Sequence, residues 1–222
     1  HEAGHENAIL IHVTLIPYLR ASQEMKTKPT QASVKELQGM GIRPDIIVCR
    51  GEHPLDEGIR DKISLFCNVP KSHVLQNLDV EYLYEAPLAM EREKLADAAC
   101  ECLHLPCPQP DLADWTSMVE ALRHPTAEVT IALVGKYTAL HDAYISVVEA
   151  LKHGGITNHA TVHIKWIDSE AVTRENAARQ LSDVQGILVP GGFGGRGIDG
   201  MLYAIEYART NRIPNLGLCL GM

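Results

Sequence analysis

The sequence has no long apolar segment and no excess of basic residues. No run approaches the ~20 apolar residues that a helix needs to cross a bilayer, and residues 1–7 carry no signal-peptide pattern, so we expect no membrane association. The net charge of −8 argues against a general nucleic-acid-binding protein, because such proteins present basic surfaces. A local basic pocket for a phosphorylated metabolite is still compatible with this charge, since a few residues suffice to build one.

The sequence also lacks a disulfide framework and a standard metal-binding motif. Six cysteines in 222 residues do not make such a framework, and Cys49 and Cys67 lie in apolar runs typical of buried thiols. We therefore expect a reducing cytoplasm. Residues 100–107 contain C-x-C-x-H-x-x-C, which is not a standard zinc pattern. A metal site there is the less favoured alternative, and we expect no metal ligand in this chain.

The first hundred residues alternate between strand-like and helix-like patterns. A branched apolar run at 9–19 predicts a strand that feeds a loop, and helical spacing predicts a helix over 32–40 that ends at Gly41. A buried strand at 45–50 and a helix at 59–66 follow. Strand, helix and strand in this order are typical of an α/β sheet.

A proline-rich stretch then divides the chain. Four prolines fall between residues 106 and 125, around a short helical stretch, which is typical of an interdomain linker. We therefore predict a first domain over 1–105, a linker over 106–127 and a second domain over 128–222.

The second half has the pattern of another α/β unit. Asp142 is predicted to cap a helix that ends at Gly154-Gly155. Lys136 follows the first strand of this half, but it lacks the G-x-x-x-x-G-K context of a P-loop lysine. The predicted strands are 129–134, 161–167, 186–189 and 216–218, and a further helix is predicted over 201–210.

Cys219 lies in a G-x-C-x-G motif directly after a predicted strand. This is the cysteine version of a nucleophile elbow, in which a strained strand-to-helix turn exposes the nucleophile. Gly217 and Gly221 suit such a turn because side chains at the flanking positions collide. A helix N-terminus beneath the thiol would favour the thiolate. From the pentapeptide alone, a buried cysteine between two glycines is an equally good interpretation.

A second glycine-rich turn, Val-Pro-Gly-Gly-Phe-Gly at 189–194, ends a neighbouring predicted strand. A Gly-Gly turn lets backbone N–H groups approach a developing oxyanion, and the N–H of Leu220 could supply a second donor. Taken alone, this turn also suits a flexible surface loop or a phosphate-binding loop. The two motifs together favour a site at the carboxyl ends of the strands of an open α/β sheet.

Gly-Gly-Phe-Gly at 191–194 followed by Gly-Leu-Cys-Leu-Gly-Met at 217–222 resembles the class I glutamine amidotransferases. The resemblance implies that Cys219 attacks the side-chain amide of L-glutamine and that Gly192 and Leu220 form the oxyanion hole. The family's triad His and Glu lie well downstream of the elbow, so we expect neither within this chain.

Further segments are similar to the CTP synthase family. In the second half they are Val-Gly-Lys-Tyr at 134–137, Asp-Ala-Tyr-Ile-Ser-Val at 142–147 and Glu-Ala-Leu-Lys-His-Gly-Gly at 149–155. In the first half they are Lys-Thr-Lys-Pro-Thr-Gln at 26–31, Ser-Val-Lys-Glu-Leu at 33–37, Arg-Pro-Asp at 43–45 and Phe-Cys-Asn-Val-Pro at 66–70. The matches follow the family's order over nearly the whole chain.

The Lys-Thr-Lys-Pro-Thr-Gln segment has a physical basis for binding phosphate. Two lysines precede a helix that can start near Thr30, and helix N-terminal N–H groups attract anions. A solvated basic loop is the alternative on composition alone. The resemblance implies binding of UTP or inhibitory CTP by Lys26, Thr27, Lys28, Pro29, Thr30, Gln31 and Lys62.

The resemblance also implies ATP contacts from Leu78, Asp79 and Val80, although the bacterial pattern often has a lysine where this chain has Leu78. It implies the C-terminal part of a P-loop-like amidoligase domain, followed by the N-terminal part of a glutaminase domain with a flavodoxin-like parallel sheet. The family aminates UTP to CTP with ATP, Mg²⁺ and ammonia from glutamine, in pyrimidine biosynthesis. GTP is its allosteric activator, and it assembles as a homotetramer.

On this resemblance, most ATP and Mg²⁺ ligands are expected before residue 1, and this stretch alone is expected to be inactive. Two alternatives remain. One is another class I glutamine amidotransferase with a different acceptor, against which the 26–31 segment argues. The other is a non-catalytic relative, against which Cys219 argues.

Overall fold

The computed structural model describes residues 3, 4 and 7–222. Residues 1, 2, 5 and 6, which belong to the N-terminal stretch without a signal-peptide pattern, lie outside that description. The chain forms two compact units, His1–Thr116 and Ser117–Met222. Within the described residues, no helix has the length and apolar character needed to cross a membrane.

The first unit contains a parallel sheet with helices on its faces. The sheet order is β1-β4-β5, and a separate antiparallel pair joins β2 to β3. In chain order the elements are β1 Ile11–Leu15, β2 Tyr18–Leu19, β3 Glu24–Met25, α1 Lys28–Gly39, β4 Ile46–Gly51, α2 Glu57–Cys67, β5 Val74–Leu78, α3 Ala86–Arg92 and α4 Leu95–Cys102. The helix α5, Ala113–Arg123, includes the boundary between the units.

The central strand β4 is apolar on both faces. Ile46, Ile47, Val48 and Cys49 are all buried, as expected for a parallel strand covered on both sides. The predicted strand at 45–50 is therefore confirmed. The strand predicted at 9–19 is shorter than expected, because the chain leaves the sheet after Leu15 and forms the β2–β3 pair.

The helix α1 begins earlier than the apolar pattern predicts. It starts at Lys28 rather than at residue 32, so four of the six residues of the 26–31 segment form its first turn. Pro29 lies at a first-turn position, where its missing N–H costs nothing. Thr30 is fully buried, and its hydroxyl bonds to the Thr14 hydroxyl at 3.0 Å and donates to the Leu15 carbonyl at 3.3 Å. These contacts with β1 hold the first turn in place.

The helix predicted at 59–66 is confirmed as α2. Asp56 caps it by accepting a hydrogen bond from the Ile59 N–H at 2.7 Å. Ile59, Ile63 and Cys67 recur every four residues and are buried against the sheet. Asn68, in the left-handed conformation with φ of 55°, ends the helix.

The second unit contains a four-stranded parallel sheet in the order β7-β6-β8-β9. Its elements are β6 Ala127–Gly135, α6 Ile145–Thr157, β7 Ala160–Asp168, α7 Ala177–Leu181, β8 Gly186–Val189, α8 Ile198–Asn211 and β9 Asn215–Gly217. All four predicted strands are confirmed. The α/β class with parallel sheets is thereby confirmed, and the linker and domain boundaries stay predictions.

The helix α6 contradicts the expected role of the Gly154-Gly155 pair. It continues through both glycines to Thr157. Gly155 is buried, and a Cβ atom there would lie 2.6 Å from the Ala160 carbonyl oxygen and 2.7 Å from a Val162 methyl group. Gly155 therefore serves close packing against β7 rather than helix termination. Asp142 is not the cap either, since it lies in the short 3₁₀ turn His141–Tyr144 that precedes α6.

All six cysteines are free thiols. Cys49 and Cys67 are buried as predicted, and burial raises the pKa of Cys49 to about 12 and raises that of Cys67 above its ordinary value. Over residues 3, 4 and 7–222, no group of three or more His, Cys, Asp or Glu side chains could hold a metal ion. The residues of the C-x-C-x-H-x-x-C stretch thus do not converge on a metal site.

Candidate active site

Cys219 lies immediately beyond the carboxyl end of β9. Its φ of 54° is in the left-handed region that non-glycine residues rarely adopt, and its side chain is exposed. A Cβ atom on Gly217 would overlap the Gly221 carbonyl, and one on Gly221 would overlap the Val189 carbonyl. Both glycines are therefore required by backbone contacts. This is the strained backbone that the G-x-C-x-G motif predicts.

The residues after Cys219 begin with a short, tight turn. Cys219–Gly221 is a 3₁₀ turn closed by hydrogen bonds from the Gly221 N–H to the Leu218 carbonyl, at 3.0 Å, and from the Met222 N–H to the Cys219 carbonyl, at 3.2 Å. The N–H of Leu220 comes just before these two donors and bonds to no other described residue. It is available to a ligand beside the thiol.

The glycine-rich turn at 190–195 follows β8, the strand next to β9. The pairing of Val189 with Gly217 aligns the ends of the two strands. A Cβ atom built on Gly191 would lie 3.2 Å from the Cys219 Cβ and 3.7 Å from its Sγ. In the described part of the chain, the N–H of Gly192 has no hydrogen-bond acceptor. The structure thus places the turn that contains Gly192 in contact with Cys219 through Gly191, and the oxyanion roles of Gly192 and Leu220 stay predictions.

Lys136 is a further residue of this site that sequence reasoning missed. It follows β6 directly, is 4% exposed, and extends under the glycine-rich turn. Its ammonium donates to the carbonyls of Gly192 and Phe193, both at 3.3 Å, and to that of Gly194. The available signal was its position, since a polar residue after a buried parallel strand lies at the edge where α/β sheets place their sites.

Arg196 and Tyr144 support the Lys136 backbone. The Arg196 guanidinium donates to the Lys136 carbonyl at 3.0 Å, pairs with Glu170, and lies 5.6 Å from the centre of the Tyr137 ring. The Tyr144 hydroxyl accepts from the Lys136 N–H at 3.1 Å. Tyr144 is buried, so its side chain makes this polar contact in addition to its packing.

In the first unit, the Glu24 carboxylate pairs with Lys26 and is also influenced by the charge of Lys62. The pKa of Glu24 is lowered, first by the hydrogen bond and charge of Lys26 and to a smaller extent by the charge of Lys62 on α2. Lys26 and Lys62, two of the three lysines named by the resemblance, therefore both act on Glu24.

The other residues of the 26–31 segment differ in what they can offer a ligand. Lys28 and Pro29 are exposed on the first turn of α1. The Gln31 amide donates to the Thr27 hydroxyl at 3.0 Å. The Thr30 hydroxyl is occupied by its contacts with β1, so this side chain serves the fold.

Asp79 lies at a separate cavity of the first unit. This cavity of about 480 Å³ is formed at the carboxyl ends of β1 and β4, and Asp79 lines it together with Arg50, with which it forms an ion pair. Leu78 and Val80 do not line it, and neither does the 26–31 segment. The predicted ATP and UTP residues thus fall at different places on the unit.

Comparisons with known proteins match the two halves of the chain to two different families. The family described as class-I glutamine amidotransferase matches residues 139–222, and the elbow and glycine-rich turn define the second unit as a member of that class. The family described as CTP synthase N-terminus matches residues 1–105. Together the two matches make the chain similar to the CTP synthase family.

The relatives support this assignment over the whole chain. CTP synthase of Clostridium acetobutylicum is 56% identical over 222 residues, which is 100% of this chain and 42% of the relative. Those of Ruminiclostridium cellulolyticum and Listeria monocytogenes are 56% and 52% identical, cover 100% of this chain, and are matched over 41% and 42% of their own length. The chain thus spans about two fifths of the relatives that it matches.

Among solved structures, the glutaminase domain of Trypanosoma brucei CTPS with bound acivicin is similar to this chain at 42% sequence identity and a TM-score of 0.40. The likeness covers 42% of this chain and 37% of that one.

Proposed function

We propose that this chain acts within a glutamine-hydrolysing CTP synthase, which uses ATP to aminate UTP to CTP. The observation that carries the proposal is the contact between Gly191 and the strained Cys219 at the ends of two neighbouring parallel strands. The N–H groups of Gly192 and Leu220, which have no acceptor among the described residues, support it. So does the identity of 52–56% to proteins named CTP synthase.

In this proposal Cys219 is the nucleophile of glutamine hydrolysis. Its sulfur attacks the side-chain carboxamide carbon, and the N–H groups of Gly192 and Leu220 stabilise the oxyanion. The C–N bond then breaks, ammonia leaves, and a thioester remains. Water cleaves the thioester to give glutamate and the free thiol. The proton transfers need a His and a Glu, which the resemblance places downstream of Cys219.

The first unit supplies part of the nucleotide surface. Lys26, Lys28 and Lys62 provide charge for the triphosphate of UTP or of inhibitory CTP, with Thr27, Pro29 and Gln31 beside them. The ion pair of Lys26 with Glu24, and the weaker effect of the Lys62 charge on the same carboxylate, support this role. Thr30 contributes by fixing the first turn of α1. ATP contacts fall to Asp79, which lines the cavity at the ends of β1 and β4, and to its sequence neighbours Leu78 and Val80, which lie outside that lining.

The remaining family properties belong to the same proposal. Residues 1–105 form the C-terminal part of a P-loop-like amidoligase domain, 106–127 the linker, and 128–222 the N-terminal part of a flavodoxin-like glutaminase domain. ATP is used with Mg²⁺ held mainly by residues outside this chain, GTP activates glutamine hydrolysis, and the enzyme is a cytoplasmic homotetramer.

The test is Cys219→Ala in the complete enzyme. CTP formation from glutamine is expected to be abolished, because the nucleophile is gone, whereas CTP formation from free ammonia is expected to persist. Cys107→Ala, which removes a thiol of the first unit, is the control and is expected to preserve both activities. Glutamine-dependent turnover in Cys219→Ala would show the assignment to be wrong, and an equal loss of both activities would indicate a folding defect instead.

A further inference from the structure

Lys136 is one of the most deeply buried charged groups of the chain, and its partners are neutral. Its side chain is 4% exposed, and in the described part of the chain its ammonium is met by main-chain carbonyls rather than by a carboxylate. A buried charge is costly unless it is well hydrogen-bonded. An ammonium has three N–H donors, and here three successive carbonyls, those of Gly192, Phe193 and Gly194, accept them.

These contacts set the direction of the peptide planes in the turn. Every peptide bond of the described residues is trans, so the C=O of one residue and the N–H of the next point in opposite directions. With the carbonyls of 192–194 turned toward Lys136, the N–H groups of residues 193–195 are turned away from it.

The turn contacts both Lys136 and Cys219. A Cβ atom on Gly192 would lie 3.4 Å from the Lys136 Cδ, whereas one on Gly191 would lie 3.2 Å from the Cys219 Cβ. Lys136 and Cys219 are thus in contact with successive residues of the same turn.

Glycines make the backbone of such a turn flexible, so a hydrogen-bond donor is needed to hold it in one conformation. Residues 191, 192, 194 and 195 are all glycine, and glycine loses more conformational freedom on ordering than any other residue. Without a donor for the three carbonyls, peptide planes in this turn can rotate at little steric cost. An oxyanion donor is effective only when it is oriented before the reaction.

We propose that Lys136 is a positioning residue for the oxyanion hole: its ammonium anchors residues 192–194 through their carbonyls and thereby fixes the position of Gly192, whose own N–H belongs to the preceding peptide plane, for the intermediate formed at Cys219. The inference rests on the proposed function. It assigns Lys136 no contact with the substrate and no proton transfer.

The experiment replaces Lys136 in the complete enzyme and separates transition-state effects from binding. In Lys136→Met, the kcat of glutamine hydrolysis is expected to fall about 10²- to 10³-fold, as for loss of one oxyanion donor. KM for glutamine is expected to change less than about threefold, because an oxyanion interaction is made only in the transition state. Ammonia-dependent CTP formation is expected to be unchanged.

A second measurement tests the reactivity of the Cys219 thiol in a reaction that forms no oxyanion. Alkylation of Cys219 by iodoacetamide, followed by mass spectrometry of its peptide, proceeds by direct displacement and forms no tetrahedral intermediate. Its rate is expected to match the wild type in Lys136→Met. Lys165→Met is the matched control, since it removes the Lys165–Asp183 ion pair of the same unit without touching the turn, and it is expected to preserve all readouts.

Lys136→Gln serves as a second variant, because it retains a smaller hydrogen-bond donor in the same place. Its loss of kcat is expected to lie between those of the wild type and Lys136→Met. Wild-type hydrolysis in either variant overturns the inference while leaving the role of Cys219 intact. Equal losses in hydrolysis, alkylation and ammonia-dependent synthesis also overturn it, since they indicate general unfolding. Hydrolysis that survives Cys219→Ala refutes the proposed function and this inference with it.

Discussion

The two candidate sites differ in the chemical groups that form them: one consists mainly of backbone and the other mainly of side chains. In the second unit, the surroundings of Cys219 consist of backbone: glycines without room for a Cβ, free N–H groups, and carbonyls held by Lys136. In the first unit, the surface around Lys26 and Lys62 consists of exposed side chains beside the first turn of α1. The backbone site is already shaped by the fold, whereas the side-chain site depends on flexible groups that a ligand must order.

The difference predicts how each site responds to substitution. A backbone site should be sensitive to a single added atom and insensitive to lost charge on its surface, because its donors are peptide groups. A side-chain site should lose affinity in steps as charges are removed, with no effect on the other unit's chemistry.

The largest effect is expected from Gly192→Pro, which removes the proposed oxyanion donor. Glutamine hydrolysis should fall by about 10²–10³, equivalent to roughly 3–4 kcal/mol of transition-state stabilisation. Ammonia-dependent CTP formation, measured in the same preparations, should stay near normal.

Gly192→Ala is the control for the side chain, because its Cβ makes only ordinary contacts of 3.4 and 3.5 Å and its N–H remains. It should keep most of the glutaminase activity. If the alanine and proline variants are equally impaired, the N–H of Gly192 is not the donor.

Gly221→Ala tests whether the elbow is fixed by sterics. Its Cβ would overlap the Val189 carbonyl, so the backbone around Cys219 must shift. Glutamine hydrolysis should fall about 10²-fold, since a misplacement of about 1 Å can cost that much, and urea unfolding should show a loss of about 1–3 kcal/mol.

Gly195→Ala provides the comparison, because no atom lies within 4 Å of its Cβ position and its φ is not positive. It should behave like the wild type in both measurements. A fully active Gly221→Ala enzyme would mean that the elbow tolerates relaxation and that strain is not needed.

In the first unit, Lys26→Ala or Lys62→Ala should raise the UTP concentration needed for CTP formation and weaken inhibition by CTP. A charge-assisted contact contributes about 1.5–3 kcal/mol, or roughly ten- to hundred-fold in affinity. Basal glutamine hydrolysis without nucleotides should change little. UTP titration alongside a glutaminase assay measures both.

Lys35→Ala, on the exposed part of α1, is the matched control and should leave the UTP dependence unaltered. An unaltered UTP dependence in the Lys26 and Lys62 variants would remove the nucleotide role and favour an amidotransferase with another acceptor.

The smallest effect is expected from Thr30→Val. The substitution removes the hydroxyl that bonds to Thr14 and to the Leu15 carbonyl, and the free energy of unfolding should fall by about 1–2 kcal/mol. Thr30→Ser keeps the hydroxyl and should recover the hydrogen-bond part of this loss. If Thr30→Val instead weakens UTP binding without changing urea unfolding, Thr30 is a ligand contact and not a structural one.

The amino-acid sequence by itself determined the α/β class, the order of the strands along the chain and the residues of the elbow. Apolar runs such as 46–49 and 186–189 predict buried strands because burial on both faces requires continuous apolar character. The G-x-C-x-G and Gly-Gly motifs are readable because only glycine fits a turn whose backbone atoms nearly touch.

Tertiary structure alone decided the features that depend on contacts between distant residues. Glycine propensity predicts that α6 ends at Gly154-Gly155, but packing against β7 carries the helix through both. Thr30 looks like a ligand contact in sequence and is instead buried against β1. The sequence around Lys136 does not predict its hydrogen-bond acceptors, because residues 192–194 lie more than fifty positions away. They come close to Lys136 only because the sheet places β8 next to β6.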